Sequence, residues 1–312
     1  MSKEAAPALK TESVNRKYRG VDQWPVDKTM GALLADQISC LQAIGPAIPI
    51  MSKAVEEAAL RLEANENARI VYGGAGTSIR LGVLDGTELT PTYGWSKLRM
   101  AFVIAGGNRA LQNAVENAED NHRTAINRVA QLKLTANDVF IGVAASGMTP
   151  FTVAACEAAR AAGAMTIGIA SNTNSKLLAA SDYPIFIDSG REPVGGSTRM
   201  NAGTAQKATL NMLSTAIMIQ MGRVYDGYMV NMIPTNKKLR IRAEAIVSEI
   251  SGCTQHEAKH ALVRAKASYG GITENNIKLA VLLAKGAGLK EAKESLEATH
   301  YHLRPALAAL TP

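Results

Sequence analysis

The stretch Ala68-Arg69-Ile70-Val71-Tyr72-Gly73-Gly74-Ala75-Gly76-Thr77-Ser78-Ile79-Arg80-Leu81-Gly82-Val83-Leu84-Asp85-Gly86-Thr87-Glu88 decides the fold. It opens as a short apolar run with the pattern of a buried strand. Glycines then turn the chain into a segment of helical spacing, with Thr77 and Ser78 at the entry. Glycine lets the backbone approach a ligand closely, and the N–H groups that open a helix favour an anion. Hydroxyls beside them add hydrogen bonds to phosphate oxygens. Gly76, Thr77 and Ser78 therefore read as the lip of a phosphate cradle, and Glu88 supplies an acid or base one short helix later.

The rest of the middle repeats this alternation. Strands are predicted at Ile70–Tyr72, Ala101–Ala105, Val139–Val143, Thr166–Ile169 and Pro184–Ile187. Helices are predicted at Asn113–Leu132, Thr152–Ala162 and Lys176–Ala180. Strands separated by helical crossovers imply parallel pairing, hence a doubly wound α/β sheet. Ligands of such sheets sit beyond the carboxyl ends of the strands. A second loop, Ala144-Ala145-Ser146-Gly147-Met148-Thr149-Pro150, lies at that end too, which adds Ser146, Gly147 and Thr149 to the candidate cradle. A third polar loop, Gly195-Gly196-Ser197-Thr198-Arg199, precedes a long apolar helix from about Gly203 to Met221.

Two helical patterns precede the sheet, from Asp27 to Ala64, and only helical patterns follow Lys237. The expected organisation is an N-terminal arm with helices over 1–64, a ligand-binding domain over 65–235 and a small helical domain over 236–312. Thr254 and Glu257 form a capping box, and Asn236 stands where a helix cap belongs.

A formal charge of +7 is compatible with nucleic acid. The basic residues are dispersed, however, and the short clusters at Arg16–Arg19 and Lys237–Arg242 lack interleaved stacking aromatics, so no nucleic-acid partner is expected. Cys40, Cys156 and Cys253 have neither paired nor metal-like spacing. No signal-peptide pattern occupies Met1 to Ser13 and no apolar run suggests a membrane span, so a cytoplasmic protein is expected.

The Walker Lys-Ser/Thr ending is absent from the first loop, and Ile104-Ala105-Gly106-Gly107 offers no ribose carboxylate after the next strand. Phosphate without a nucleotide is the surviving reading. Glu116 and Glu119, three apart on the predicted helix, would share a face. Either that face is solvated, or burial tunes one carboxylate for proton transfer. His256-Glu257-Ala258-Lys259-His260 fits the zinc pattern H-E-x-x-H. Glu257 already caps its helix, though, and the histidines fall away from the stripe Ala258, Ala261, Leu262 and Ala265, so no metal is expected there.

These residues resemble the N-acetylmuramic acid 6-phosphate etherases. The resemblance is carried by Gly74-Ala75-Gly76-Thr77-Ser78-x-Arg80-Leu81-Gly82-Val83-Leu84-Asp85-x-x-Glu88-x-x-Pro91-Thr92-Tyr93-Gly94, Val115-Glu116-x-Ala118-Glu119-Asp120, Ala144-Ala145-Ser146-Gly147-x-Thr149-Pro150 and Ser197-x-Arg199-Met200-x-Ala202-Gly203-Thr204-Ala205-Gln206-Lys207. Thr11-Glu12-x-x-Asn15 and Thr235-Asn236-x-Lys238-Leu239 fit as well. It implies a sugar isomerase (SIS) domain of flavodoxin-like topology, a small C-terminal helical domain, a homodimer and a phosphorylated amino sugar as substrate, with no cofactor. The implied reaction cleaves the C3 lactyl ether, giving N-acetylglucosamine 6-phosphate and D-lactate. By motif position, Glu88 corresponds to the acid for the leaving oxygen and Glu119 to the base at C2. Ser78, Ser146 and Thr149 correspond to phosphate-loop positions and Glu116 to a sugar contact. The glucokinase regulatory protein also resembles these etherases, so a sugar-phosphate-sensing protein is one alternative, and an isomerase of another sugar phosphate is a second.

The chain departs from the family pattern at Ile79 (usually Gly), at Gly86-Thr87 (usually Ala-Ser), and at Asn108, Met148 and Asn201. A β-branched Ile79 is expected to restrict the first loop or to fill space beside the sugar.

Overall fold

The computed structural model describes residues 10–113 and 115–310. The arm expected over 1–64 therefore lies partly outside the described residues, as does Ala114. Five parallel strands, β1 (Ile70–Gly74), β2 (Met100–Ile104), β3 (Val139–Val143), β4 (Met165–Ala170) and β5 (Tyr183–Phe186), form one sheet in the order β2-β1-β3-β4-β5. The predicted doubly wound sheet is present. Its strand order reverses between β1 and β3, where such sheets open a ligand crevice.

Before the sheet come α1 (Val26–Gln42) and α2 (Ile48–Ala64). Within it are α3 (Gly76–Tyr93), α4 (His122–Leu132), α5 (Pro150–Ala161) and α6 (Lys176–Ala180), and after it α7 (Asn201–Gln220). Side chains alternate across each strand. Val71, Val103 and Phe140 face α4, α5 and α6, in a core finished by Ala125, Val129, Phe151, Ala155 and Leu177. Tyr72 and Phe102 point to the other face, where their rings stack and α3 lies against them. The helices that follow, α8 (Lys237–Ser251), α9 (Gln255–Ser268), α10 (Asn276–Ala284), α11 (Leu289–Ala298) and α12 (Leu303–Leu310), have their own core around Ile246, Ala261, Leu279, Leu282 and Leu296. The chain divides into two compact units, one of residues 1–86 and 98–214, the other of 87–97 and 215–312.

Two local expectations in the helical unit hold. Asn236 accepts a hydrogen bond from the Leu239 N–H, and Thr254 with Glu257 forms the reciprocal capping box. Two other expectations fail. The helix predicted over Asn113–Leu132 begins only at His122, and the residues before it make turns, with Asn117 at φ 57°. The reason is local: Asn121 accepts from the Thr124 N–H and caps the helix there, so Glu116 and Glu119 share no helical face. In addition, α1, a short 3-10 turn and α2 run as one stretch, Val26–Ala64, long and apolar enough by composition to cross a membrane, although no such run was expected. Asp36, Gln37 and Gln42, with Pro46 and Pro49, break the apolar run in the sequence. Along α1 the side chains of Val26, Met30, Leu34, Ile38 and Leu41 recur every three or four residues and are 43–77% exposed.

Candidate active site

The carboxyl ends of β1 and β3 are level, with Gly74 paired to Val143, so the first and second loops emerge side by side. Gly76 opens α3 at φ 54°, a left-handed conformation that a side chain would strain. The first N–H groups of a helix have no acceptor within it, and their aligned dipoles favour an anion. Thr77 is half-buried at this lip. Ser78 is buried and donates its hydroxyl to Gln206 Oε1 of α7 at 3.0 Å. The Nε2 of Gln206 is buried and has no hydrogen-bond partner.

In the second loop every carbonyl from Ala144 to Gly147 is turned into the protein. Ala144 O accepts from the Gly147 N–H (3.1 Å), Ala145 O from the Ser171 N–H (2.9 Å) and Gly147 O from the Leu177 N–H (2.9 Å). Ser146 O accepts from Asn172 Nδ2 at 3.3 Å. With its oxygens so engaged, the loop leaves donors for a ligand. Ser146 Oγ accepts from the Met148 N–H at 3.1 Å, which leaves the hydroxyl hydrogen available to a ligand. Gly147 is at φ 67°, and a Cβ there would stand 2.3 Å from Ser175 Oγ, so no other residue fits.

Glu119 lies close to both loops. Its backbone oxygen accepts from the Phe151 N–H at the start of α5 (2.9 Å), and its Oε1 lies 3.1 Å from where a Cβ on Gly76 would be. An exposed carboxylate thus stands at the lip of the cradle. Glu116 is exposed in the turn before it, and Glu88 is exposed on α3 in the stretch 87–97 of the second unit.

The third loop takes a different part. Glu192, fully buried, accepts from the Asn201 and Ala202 N–H groups at 2.9 Å each, so the chain's own carboxylate occupies the start of α7. Burial raises its pKa, and the two N–H groups oppose that shift. At α5 the Phe151 N–H is already given to Glu119 O, so of the helix starts at these loops it is that of α3 which is offered to an exogenous anion. Burial also lifts the thiols of Cys40, to about 11, and Cys156, to about 12, so neither is a nucleophile at neutral pH. His256 and His260 are exposed on α9 and their Nε2 atoms meet at 3.2 Å.

Three departures from the family pattern, at Ile79, Gly86 and Asn201, find structural causes. Ile79 does not face the cradle. It is wholly buried, with its Cβ 3.3 Å from the position a Cβ of Gly74 would take and its Cδ1 3.6 Å from that of Gly82. A Cβ on Gly86 would come within 2.9 Å of Met100 Sδ, Phe102 Cε1 and Tyr72 Cε2, so the large residues of β2 require glycine there. Asn201 is buried, accepts from Gln37 Nε2 at 2.8 Å and donates to Arg191 O at 3.1 Å. Beside Gly86, Asp85 accepts from Tyr72 OH (2.7 Å), Asn211 Nδ2 (2.6 Å) and Ser214 Oγ (3.0 Å). That network packs α3 on β1 and α7. Burial, then the Asp85 charge and hydrogen bond, pushes the Tyr72 phenol well above its ordinary pKa.

Sequence reasoning missed Asn172, Ser175 and Gln206. The signal for the first two was available: Ser171-Asn172-Thr173-Asn174-Ser175 is a polar loop at the carboxyl end of a third strand, β4. Gln206 stands in a motif that carries the family resemblance, but its place inside a long helix does not say that its side chain reaches the first loop.

Comparisons with known proteins agree with this architecture. Residues 51–160 match the model of the glucokinase regulatory protein N-terminal SIS domain, and residues 108–216 match the SIS domain model. The chain is 42% identical over 298 residues to the N-acetylmuramic acid 6-phosphate etherase of Deinococcus radiodurans, covering 96% of this chain and 95% of that protein. It is 39% identical to the enzyme of that name from Streptomyces avermitilis, over 96% and 94% of the two chains. The corresponding Escherichia coli O1:K1 protein is 40% identical, over 85% and 86%. The chain belongs to the N-acetylmuramic acid 6-phosphate etherase family.

Proposed function

We propose that this protein is a carbon–oxygen lyase that cleaves the C3 lactyl ether of N-acetylmuramic acid 6-phosphate, yielding N-acetylglucosamine 6-phosphate and D-lactate. The observation that carries the chemistry is Glu119, a carboxylate close to Gly76 at the lip of an anion cradle and bonded through its backbone to the start of α5. The phosphate would lie on the N–H groups opening α3, that of Ser78 among them, and on the second loop, with Thr77, Ser146 and Thr149 donating hydroxyls. With the sugar open to its aldehyde, the C2 proton is acidic and Glu119 removes it. The C3–O bond then breaks, and Glu88 gives a proton to the departing lactate oxygen. Water adds to C3 of the unsaturated aldehyde and a proton returns to C2, so one water is consumed and the atoms balance. Glu116 is a sugar contact in this reading.

The first test is D-lactate release from N-acetylmuramic acid 6-phosphate by the purified protein. Release is expected. Binding of the sugar without turnover would favour a sugar-phosphate-sensing protein, the reading to which the regulatory-domain match over residues 51–160 lends support. Proton exchange at C2 without lactate would favour an isomerase.

The working form in this proposal is a cytoplasmic homodimer. The exposed stripe Val26, Met30, Leu34, Ile38 and Leu41 supports it, since a contiguous apolar face of that kind marks an interaction surface. Light scattering should give twice the chain mass for the wild type and a monomer for a Leu34→Asp, Ile38→Asp double variant. A monomeric wild type that partitions into lipid vesicles would refute this.

A further inference from the structure

We propose that Thr11, in the N-terminal arm, is a positioning residue of the phosphate site and acts through Asn172. This rests on the reading that the second loop holds the substrate phosphate. Asn172, at the end of β4, uses its whole side chain as a clamp. Its Oδ1 accepts from the Lys10 N–H at 3.0 Å, and its Nδ2 lies 3.1 Å from Thr11 Oγ1, 3.4 Å from Ala145 O and 3.3 Å from Ser146 O. Thr11 is completely buried, and Lys10 Nζ pins the same segment to Asp188 at 2.6 Å. Farther along the arm, Glu12 and Val14 lie against Gly196 and Gly195 of the third loop.

The clamp matters because of where the loop carbonyls point. A carbonyl oxygen facing the cradle would repel a phosphate, whereas one turned inward leaves the neighbouring N–H groups facing out. Ser146 O is held inward by Asn172 Nδ2, and the amide in turn is held at its other end by the arm. Removing the Thr11 hydroxyl takes away the shortest of the three acceptors around this amide and leaves it only the longer contacts to Ala145 O and Ser146 O. That amide is then free to tilt, and the loop with it.

The experiment compares wild type, Thr11→Val and Thr11→Ser for lactate release and for binding of N-acetylglucosamine 6-phosphate, N-acetylglucosamine and inorganic phosphate by calorimetry. Thr11→Val keeps the side-chain volume and loses the acceptor. It should raise KM, and the Kd for the phosphorylated sugar, about five- to tenfold, the scale of one buried hydrogen bond. Its kcat should stay within about twofold, because neither proposed carboxylate is touched. Thr11→Ser should restore wild-type values. A role confined to folding would instead lower kcat through the active fraction or lower Tm, with KM and Kd unchanged, and that outcome overturns the proposal. If wild type binds no phosphorylated sugar and no phosphate, the reading of the second loop fails and this proposal with it. Binding by wild type and Thr11→Val with equal affinity overturns the positioning role alone.

Discussion

Glu119→Gln should lower D-lactate release about 100- to 10,000-fold, the span over which one positioned acid or base contributes. The substitution is nearly isosteric, and the backbone oxygen that ties Glu119 to Phe151 is retained, so the two cradle loops should stay in place. The Kd for N-acetylglucosamine 6-phosphate should therefore move little while kcat collapses. A loss confined to kcat is the mark of an interaction made in the transition state rather than in binding. The decisive readout is exchange of the C2 proton of the sugar with deuterated water, followed by NMR. If Glu119 is the base, Glu119→Gln stops exchange and lactate release together. If Glu88 assists the leaving oxygen, Glu88→Gln slows lactate release by about 100-fold or more while C2 exchange continues. The reverse pattern would exchange the two roles. Undiminished exchange in Glu119→Gln would place the base on another residue.

The sheet was legible in the sequence because its determinants are local. Strands flanked by glycine turns and crossover helices announce parallel pairing, and the two cradle loops lie next to each other once β1 and β3 pair. The acidic turn was misread for an equally local reason. Apolar spacing extends back through Val115 and Ala118, and only the capping of α4 by Asn121 shows that the helix starts later. Correcting that strengthens the functional case, since in a turn Glu119 can reach Gly76 while its backbone holds the start of α5. Ile79 and Gly86 show a second limit. A departure from a family pattern in a site-forming segment suggests altered specificity, yet Ile79 is buried against Gly74 of β1, and at Gly86 it is Met100, Phe102 and Tyr72 that set the space available. Side-chain direction on α3 separates the two explanations, and sequence spacing near a glycine turn does not fix that direction. The Thr11–Asn172 contact joins residues 161 positions apart, and neither the motif at Thr11 nor the polar loop at Asn172 says that the two meet.

The second large effect is expected at the opposite end of the sheet, and it concerns stability rather than catalysis. Asp138 immediately precedes β3 and is almost fully buried. Its Oδ1 accepts from the Arg69 N–H (2.8 Å) and Nε (3.0 Å), and its Oδ2 from Arg69 Nη2 (3.1 Å), the Thr135 N–H (2.7 Å) and Thr135 Oγ1 (3.1 Å). The carboxylate thereby locks the entries of β1 and β3 together. Burial pulls its pKa up. Hydrogen bonds from the Arg69 side chain and from the Thr135 and Arg69 N–H groups, with the guanidinium charge, outweigh burial and hold the carboxyl below its ordinary 3.8. Asp138→Asn would set an NH2 against donors on one side and leave the guanidinium without its counter-charge. Breaking a buried pair in this way costs about 3–5 kcal/mol, roughly 10 °C in Tm for a chain of this size. The sign with pH follows from the lowered pKa. The carboxylate's contribution is fully present above its unfolded value and is lost as pH falls through the lower folded one. Wild type should therefore lose stability relative to Asp138→Asn on acidification below about pH 4, with the gap between their urea midpoints closing. At neutral pH and a temperature where both are folded, KM and kcat should agree, because the carboxyl-end loops are untouched. A variant that keeps its Tm but loses activity would show that the amino ends of the strands also shape the site.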